Sequence, residues 1–443
     1  MREIERQFDL SEEEKVLFEA LIQTKTHFEL ETVIRVAGGW VRDKLLNRVN
    51  KYDVDLALSD ISGQEFANKF VEYLSEFHPN ERQKFNVIKA NPDQSKHLET
   101  ATGIFFGIDV DFVCLRNEEY TSNSRIPVTT PGTASSDALR RDLTINSLFY
   151  NIESDTVEDY SEMGLQDLEI GIVRTPLDPV VTFNDDPLRI LRSIRFACRL
   201  DFDIDPCLLD AAKQDEIRDG FMNKISKERV FKEISEAFIT NAIVLLEVLV
   251  EINYLPIVFG VEIDGKGFYR LYNNLKVISS DGDITKQEKD SILMTYLSFI
   301  YLGFDGDIKK YLPVPKTYIK MIKKVNDINS SVWSHHSMRQ TIGQILHIAG
   351  EFGYYAIAVL NAVKDMEMSM TECLAFVEEE DLEYCMTLKP KVNGNELINR
   401  FNRRRGRWMK ECLDLSIMWQ IDDPNVEKEE LFVRFDEYLS KQQ

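Results

Sequence analysis

The chain has 443 residues, 44% of them hydrophobic and 29% charged, with 53 Lys and Arg against 75 Asp and Glu for a net charge of −22. That length suggests about three domains, and the composition excludes a mainly disordered, collagen-like or disulfide-scaffold chain. The acidic balance argues against a broad nucleic-acid coat protein but leaves room for a local basic patch, because a cleft focuses its own field.

Six cysteines (Cys114, Cys198, Cys207, Cys373, Cys385, Cys412) form no CxxC pair, which predicts free thiols in a reducing compartment. Met1–Ala20 has no apolar core and is not Arg-rich, so neither a secretory signal nor a mitochondrial presequence is expected. Of the most apolar stretches, Ala237–Gly260 is broken by Glu247, Glu251 and Asn253, and Ser291–Phe304 falls short of the roughly 20 residues a bilayer needs. No membrane segment is predicted.

In chain order, residues 11–30 read as a helix with Ser11 as N-cap and Glu14 completing a capping box. A strand follows at 33–37, then Gly38-Gly39, a helix from about 40 to 46, a strand at 52–58, a helix at 63–77 and a short strand at 85–89. Residues 101–106 and 110–115 read as a hairpin turned at Gly107, and the Ser/Thr/Pro-rich stretch 117–136 reads as a loop. This mixed unit runs to about residue 180. Beyond it strand signals fade, and helices are predicted at 187–200, 206–214, 227–240, 244–252, 286–301, 315–327 and 353–363. His335-His336 lacks an acid at metal-ligand spacing and reads as ordinary polarity.

Four constellations carry chemistry. Asp53 and Asp55, two residues apart on a strand, point to one face. Such a pair can hold two Mg²⁺ ions roughly 3.5–4 Å apart, the arrangement used for in-line phosphoryl transfer. Gly38-Gly39 just upstream opens a helix where backbone N–H groups favour phosphate, and Arg42 adds a forked cation. Asp109 and Asp111 form a second acid pair, of which one is a candidate third carboxylate. Arg140, Arg141, Asp142 and Asn146 form the third group; on a helix Asp142 and Asn146 stack, with the arginines placed for phosphates.

The fourth runs from Asp185-Asp186-Pro187. Proline suits the first helical position, which makes Asp186 the N-cap. Arg189, Arg192, Arg195 and Arg199 then form one stripe beside the apolar Leu188, Leu191, Ile194 and Cys198. Cytosine and adenine both present a ring-nitrogen acceptor beside an amine donor, whereas uracil and guanine present the reverse. A fixed Arg189 donor next to a fixed Asp186 acceptor therefore accepts C and A and rejects U and G, steeply, because the wrong base leaves buried groups unpaired. Further on, Arg403, Arg404, Arg405 and Arg407 with Trp408 make the densest basic patch, suited to a phosphate backbone; a solvated loop explains it equally well.

The order GGxVRD–DxD, RRDxxxN, Asp167-x-x-x-Gly171 and DDxxRxxR resembles the class II CCA-adding enzymes, tRNA nucleotidyltransferases of the DNA polymerase β superfamily. Asn91–Thr102, Ser124–Pro127 and Leu388–Gly394 resemble the fungal and eukaryotic branch in particular. The resemblance is dense over 33–240. It implies an α+β fold: a polymerase β-like mixed-sheet head (1–180) followed by an all-helical neck with the nucleotide-selecting helix (181–260), and a helical, tRNA-binding body and tail (261–443). It implies metal binding by Asp53 and Asp55, a third acid at Asp111, and ribose and triphosphate contacts from Arg140, Arg141, Asp142 and Asn146. It also implies a hinge at Asp167 and Gly171, and an amino-acid template in Asp186 and Arg189. The family's GTPEEDA-like acid pair is here Gly132-Thr-Ala-Ser-Ser-Asp137-Ala, and the first template acid is Asp185 where Glu is commoner.

The activity expected is addition of C, C and A to tRNA from CTP and ATP with Mg²⁺, by a monomer in the cytoplasm and also the nucleus, with a mitochondrial share only from a longer isoform. Rivals are a CC-only or A-only paralogue, a poly(A) polymerase of the same superfamily, and a non-catalytic tRNA-binding protein. Intact acids at 53, 55 and 111 weigh against the last.

Overall fold

The computed structural model describes residues 8–48, 53–79, 84–88, 100–121, 124–279, 284–331, 337–364 and 368–441, with the backbone alone for 84–88, 100, 119–121 and 124–128. Residues 91–99 of the branch-specific stretch and His335-His336 lie outside the described residues. The chain divides into two compact units, Met1–Tyr254 and Leu255–Gln443.

The first unit opens with α1 (Glu12–His27), started by the Ser11–Glu14 capping box and stopped where Glu29 turns to φ 50°. Then come β1 (Ile34–Ala37), α2 (Gly39–Leu45), β2 (Asp53–Leu58), α3 (Gly63–Phe77), β3 (Lys84–Ile88), β4 (Thr100–Phe105), β5 (Ile108–Cys114), β6 (Arg116–Thr121), β7 (Ser124–Pro131), α4 (Ala134–Leu139), β8 (Phe149–Asn151) and β9 (Thr156–Glu158). Seven strands form one mixed sheet in the order β3-β4-β5-β2-β1-β8-β9. The β2–β5 pair is parallel and its other pairings are antiparallel. Val54, Leu56, Val110 and Phe112 are buried, and α3 sends Phe66, Phe70 and Leu74 into the same apolar layer. Gly63 lets α3 press on the sheet, since a Cβ there would stand 2.0 Å from the Phe112 carbonyl oxygen.

The stretch predicted as a loop is instead largely the β6–β7 hairpin followed by α4. Thr and Val are strand formers once a partner strand exists, and proline is tolerated at a sheet edge. Composition hid a pairing that only the partner strand makes favourable.

The helical part of this unit continues with α5 (Gly164–Ile170), β10 (Ile172–Val173), α6 (Pro179–Asp185), α7 (Arg189–Leu200), β11 (Asp203–Ile204), α8 (Pro206–Ala212), α9 (Asp215–Lys224) and α10 (Lys227–Glu251). The predicted break between 240 and 244 survives as a kink in α10, where Asn241 takes φ −155° and ψ 87°. The helix expected to begin at Pro187 starts two residues later. Asp186 closes α6 instead of capping α7 directly, although its carboxylate still accepts the Leu188 N–H at 3.1 Å.

The second unit is helical: α11 (Leu255–Val258), α12 (Gly265–Ile278), α13 (Lys286–Ile300), α14 (Lys316–Ser331), α15 (Met338–Ala349), α16 (Gly353–Val363), α17 (Met370–Glu379), α18 (Gly394–Phe401), α19 (Arg407–Asp422) and α20 (Lys428–Ser440). Its stretch Met338–Val363 is, by length and composition alone, long and apolar enough to cross a membrane. It is two helices joined at Gly350, and α16 buries Ala356–Leu360 in the unit's core. Val392, Leu397, Cys412, Leu431 and Phe435 form a further core under α18–α20. All six cysteines are free thiols.

Candidate active site

In β2 the alternation leaves Asp53 and Asp55 exposed while Val54 and Leu56 are buried. The parallel register then sets Asp53 opposite Asp109 and Asp55 opposite Asp111, so all four carboxylates share one face. Like charges directly opposite each other are unfavourable in a sheet. Burial, aided by Asp53 and Asp111, pushes the Asp55 carboxyl up to about 6, with Arg141 partly offsetting. Water reaches Asp55 even though it is recessed among many protein atoms. Burial, then Asp111 and Asp109, also raise Asp53.

Asp55 lines a cavity of about 600 Å³ with Gly38, Gly39, Arg42, Arg140, Arg141, Asp142, Asn146, Asp186, Arg189, Arg192 and Arg195. Segments from β1 to α10 thus converge on one site. Nine arginines and five carboxylates line it, a local excess of positive charge in a chain of net −22.

Each arginine is held. Gly38 (φ 72°) turns the chain into α2, and a Cβ on it would meet Arg141 Nη1 at 3.1 Å. Arg42, nearly fully buried, forks onto Asp43 at 2.8 and 2.9 Å and donates to Asn146 Oδ1. Asp137, at the end of the departing GTASSD stretch, is also buried and takes both Arg140 and Arg141. Burial acts upward on its pKa, but Arg141 and Arg140 hold it below the usual carboxylate range. Glu118 accepts a second bond from Arg140 at 2.8 Å.

Asp142 and Asn146 do not share an α-helix as predicted. A short 3₁₀ turn over Thr144–Asn146 still brings Asn146 Nδ2 to within 3.2 Å of Asp142 Oδ1. Burial would raise Asp142, yet Arg192, the Asn146 amide and Arg189 together pull it down to about 2.

On α7 the arginine stripe is real, with Arg192 half-buried and Arg199 exposed. Arg189 and Arg195 are buried, and Leu188, Leu191, Ile194 and Cys198 pack beneath. Arg192 bonds Asp142 at 2.6 Å, Arg195 bonds Glu233 at 2.5 Å, and Arg199 reaches Asp43 at 3.1 Å. Phe196 gathers Arg195 (4.3 Å), Arg42 (4.9 Å) and Arg192 (5.8 Å) over its ring, where the ring quadrupole offsets part of their mutual repulsion. Arg189 donates to the Arg140 carbonyl at 2.7 Å, and Asp186 is gripped by Arg229 of α10.

Asp167 and Gly171 lie outside the cavity lining. Asp167, fully buried in α5, accepts the Thr144 hydroxyl at 2.6 Å; Gly171 ends that helix at φ 76°. In the second unit Arg403 is half-buried between α18 and α19, while Arg404, Arg405 and Arg407 are exposed. Arg407 pairs with Glu411 at 3.0 Å, and the Trp408 indole donates to the Arg404 carbonyl.

Sequence reasoning missed Arg116, Glu118, Asp137, Phe196, Arg229 and Glu233. The Asp137 role was within reach, since Arg140 and Arg141 follow at i+3 and i+4. Arg229 sits far along the chain and carries no local signal.

Among the described residues, no three His, Cys, Asp or Glu side chains form a ready metal cage. Magnesium does not require one: it commonly takes one or two carboxylates and completes its shell with water and substrate phosphates. The raised Asp53 and Asp55 fit that use, because a bound cation would offset both the burial and the neighbouring acids that raise them.

A mixed sheet with in-register aspartates beside an arginine-lined cavity defines a nucleotidyltransferase head, and residues 34–174 match the family model of the Poly A polymerase head domain. A tRNA nucleotidyltransferase of Schizosaccharomyces pombe is 31% identical over 91% of this chain and 92% of its own length. The mitochondrial CCA tRNA nucleotidyltransferase of Saccharomyces cerevisiae is 32% identical over 95% and 91%. The chain belongs to the CCA tRNA nucleotidyltransferase family. Its fold also matches the Thermotoga maritima CCA-adding enzyme solved with tRNA, at a TM-score of 0.66 and 19% identity over 98% of this chain and 97% of that one.

Proposed function

We propose that this chain adds C, C and A in turn to the 3′ end of tRNA, using CTP and then ATP and releasing pyrophosphate. The observation that carries this reading is that one cavity holds both Asp55 and the Asp186–Arg189 pair. Asp55, on the strand face that carries the acids for the chemistry, and the groups for base choice thus face the same nucleotide-sized space.

In this reading the tRNA 3′-hydroxyl oxygen forms a bond to the α-phosphorus as the bond to the pyrophosphate oxygen breaks. Asp111 takes the hydroxyl proton. Arg42, Arg140, Arg141, Arg192 and Arg195 hold the triphosphate, with Gly38 and Gly39 giving it close access to backbone; Asp142 and Asn146 hold the ribose. Asp53 and Asp55 are the residues that would hold divalent cations, Mg²⁺ being the expected ion, which when bound supply positive charge to the reacting phosphates. Asp186 accepts from the base amine and Arg189 donates to the ring nitrogen, so C and A satisfy both groups and U and G neither.

The remaining assignments belong to the same proposal. Asp167 and Gly171 act as the hinge between a head ending near 180 and a neck ending near 260. Arg403, Arg404, Arg405 and Arg407 contact the tRNA backbone, and the enzyme works as a monomer. Cytoplasm and nucleus are the expected locations. The mitochondrial relative in yeast adds mitochondria to the compartments that fractionation should test.

The test is incubation with tRNA transcripts lacking one, two or three terminal nucleotides, one nucleoside triphosphate at a time. The proposal expects two C additions, then one A. Extension by C alone or A alone identifies a partial enzyme. Long A tails without use of CTP identify a poly(A) polymerase, and extension by U or G as readily as C overturns the base-reading argument.

A further inference from the structure

We infer that Arg229 is a positioning residue for base choice: it fixes the Asp186 carboxylate so that the incoming base meets it only as a hydrogen-bond acceptor. This rests on the base-reading role proposed above for Asp186.

Asp186 stands between α6 and α7, where the backbone is extended (φ −143°, ψ 99°) and no helix holds its side chain. Two donors do so instead. Arg229, in the first turn of α10, places Nη2 2.7 Å from Oδ2 and Nη1 3.4 Å from Oδ1. The Leu188 N–H reaches Oδ1 at 3.1 Å. Donors from two separate elements determine both the position and the plane of the carboxylate. A planar guanidinium fork does this where an ammonium cannot.

The partner group is anchored in the same manner, since Arg189 Nη2 donates to the Arg140 carbonyl at 2.7 Å. Acceptor and donor are each tied to another segment, and both line the cavity together with Arg229. Oδ2 retains a second lone pair for an amine. A carboxylate unable to swing opposes the carbonyl oxygen that U or G would present there, whereas one that is free to rotate tolerates that oxygen.

The test uses the full chain and tRNA lacking its terminal nucleotides, and reads the ratio of kcat/KM for CTP over UTP. Arg229→Ala should lower this ratio by at least about tenfold, within the range that hydrogen-bonding sites command. Arg229→Lys should give a smaller loss. Asp186→Ala should also lower the ratio, and the Asp186→Ala/Arg229→Ala double variant should fall no further than Asp186→Ala alone, because Arg229 acts through that carboxylate. If Arg229→Ala does not fold by melting curve, Arg229→Lys is read by the same ratio. An unchanged ratio in the folded Arg229 variant, or losses that multiply in the double variant, overturns the inference while leaving Asp186 as base reader. An unchanged ratio in Asp186→Ala removes the base-reading role and this inference with it.

Discussion

Asp55 and Asp111 stand directly opposite each other across the parallel β2–β5 pairing, and Asp53 and Asp109 repeat the arrangement one pleat away. A sheet stabilised only by its own contacts has no use for two like-charged pairs in register. A bound cation would offset their cost, which makes the arrangement readable as preparation for a ligand.

Replacing one member should separate activity from stability. Asp53→Asn is expected to abolish nucleotide addition, by about a thousandfold or more if the carboxylate holds the cation. It should also leave the fold as stable or more stable by about 0.2–1 kcal/mol, the size of a cross-strand charge pair. Single-turnover extension and a urea melt measure the two effects. A clear loss of stability would mean that the acids are structural.

The raised Asp55 sets a pH dependence. Its folded pKa, about 6, lies above the ordinary carboxylate value, so the protein without cation loses stability as pH rises through the range from there to 6. A cation competes with the proton, so its apparent affinity should weaken below pH 6 by up to about tenfold per unit. Stabilisation by Mg²⁺ or Mn²⁺ in thermal melts from pH 5 to 8 tests this. Affinity that is flat with pH would contradict it.

Asp137 holds two arginines with one buried carboxylate. Asp137→Ala leaves Arg141 without its carboxylate and Arg140 with Glu118 alone, and should cost about 2–4 kcal/mol, the scale for breaking a largely buried ion pair. Triphosphate KM should rise, because Arg140 and Arg141 lose their orientation. Denaturant melts and steady-state kinetics on CTP report the two effects. Unchanged KM would place these arginines outside triphosphate binding.

The basic loop between α18 and α19 should act through phosphates. Replacing Arg403, Arg404, Arg405 and Arg407 by Gln should weaken tRNA binding and reduce the slope of log affinity against log salt by about 0.7–0.9 per lost contact. The native slope itself should be modest, since an acidic chain engages few phosphates. Filter binding from low to moderate salt measures both, and an unchanged slope would assign the loop to solvent.

Much of this was legible locally. The Ser11–Glu14 capping box, the Asp53–Asp55 alternation and the apolar seam of Leu188, Leu191, Ile194 and Cys198 are short-range patterns, and period and capping chemistry report them directly. Where reading failed, the cause was a partner outside the segment being read. The β6–β7 stretch became strands because each segment pairs with the other. Arg189 and Arg195 of α7 are buried in spite of their charge because the Arg140 carbonyl and Glu233 meet them from other elements, while the more open Arg192 and Arg199 reach Asp142 and Asp43.

From the sequence alone come the acid pairs, the order of the motifs and the change from mixed α/β to all-helical, since each depends on neighbours within a few positions. Tertiary structure decided that Asp111 lies beside Asp55, that Asp137 governs both Arg140 and Arg141, and that Arg229 grips Asp186. Strand register and the meeting of helices are set by burial of the whole apolar layer, a quantity no local window contains.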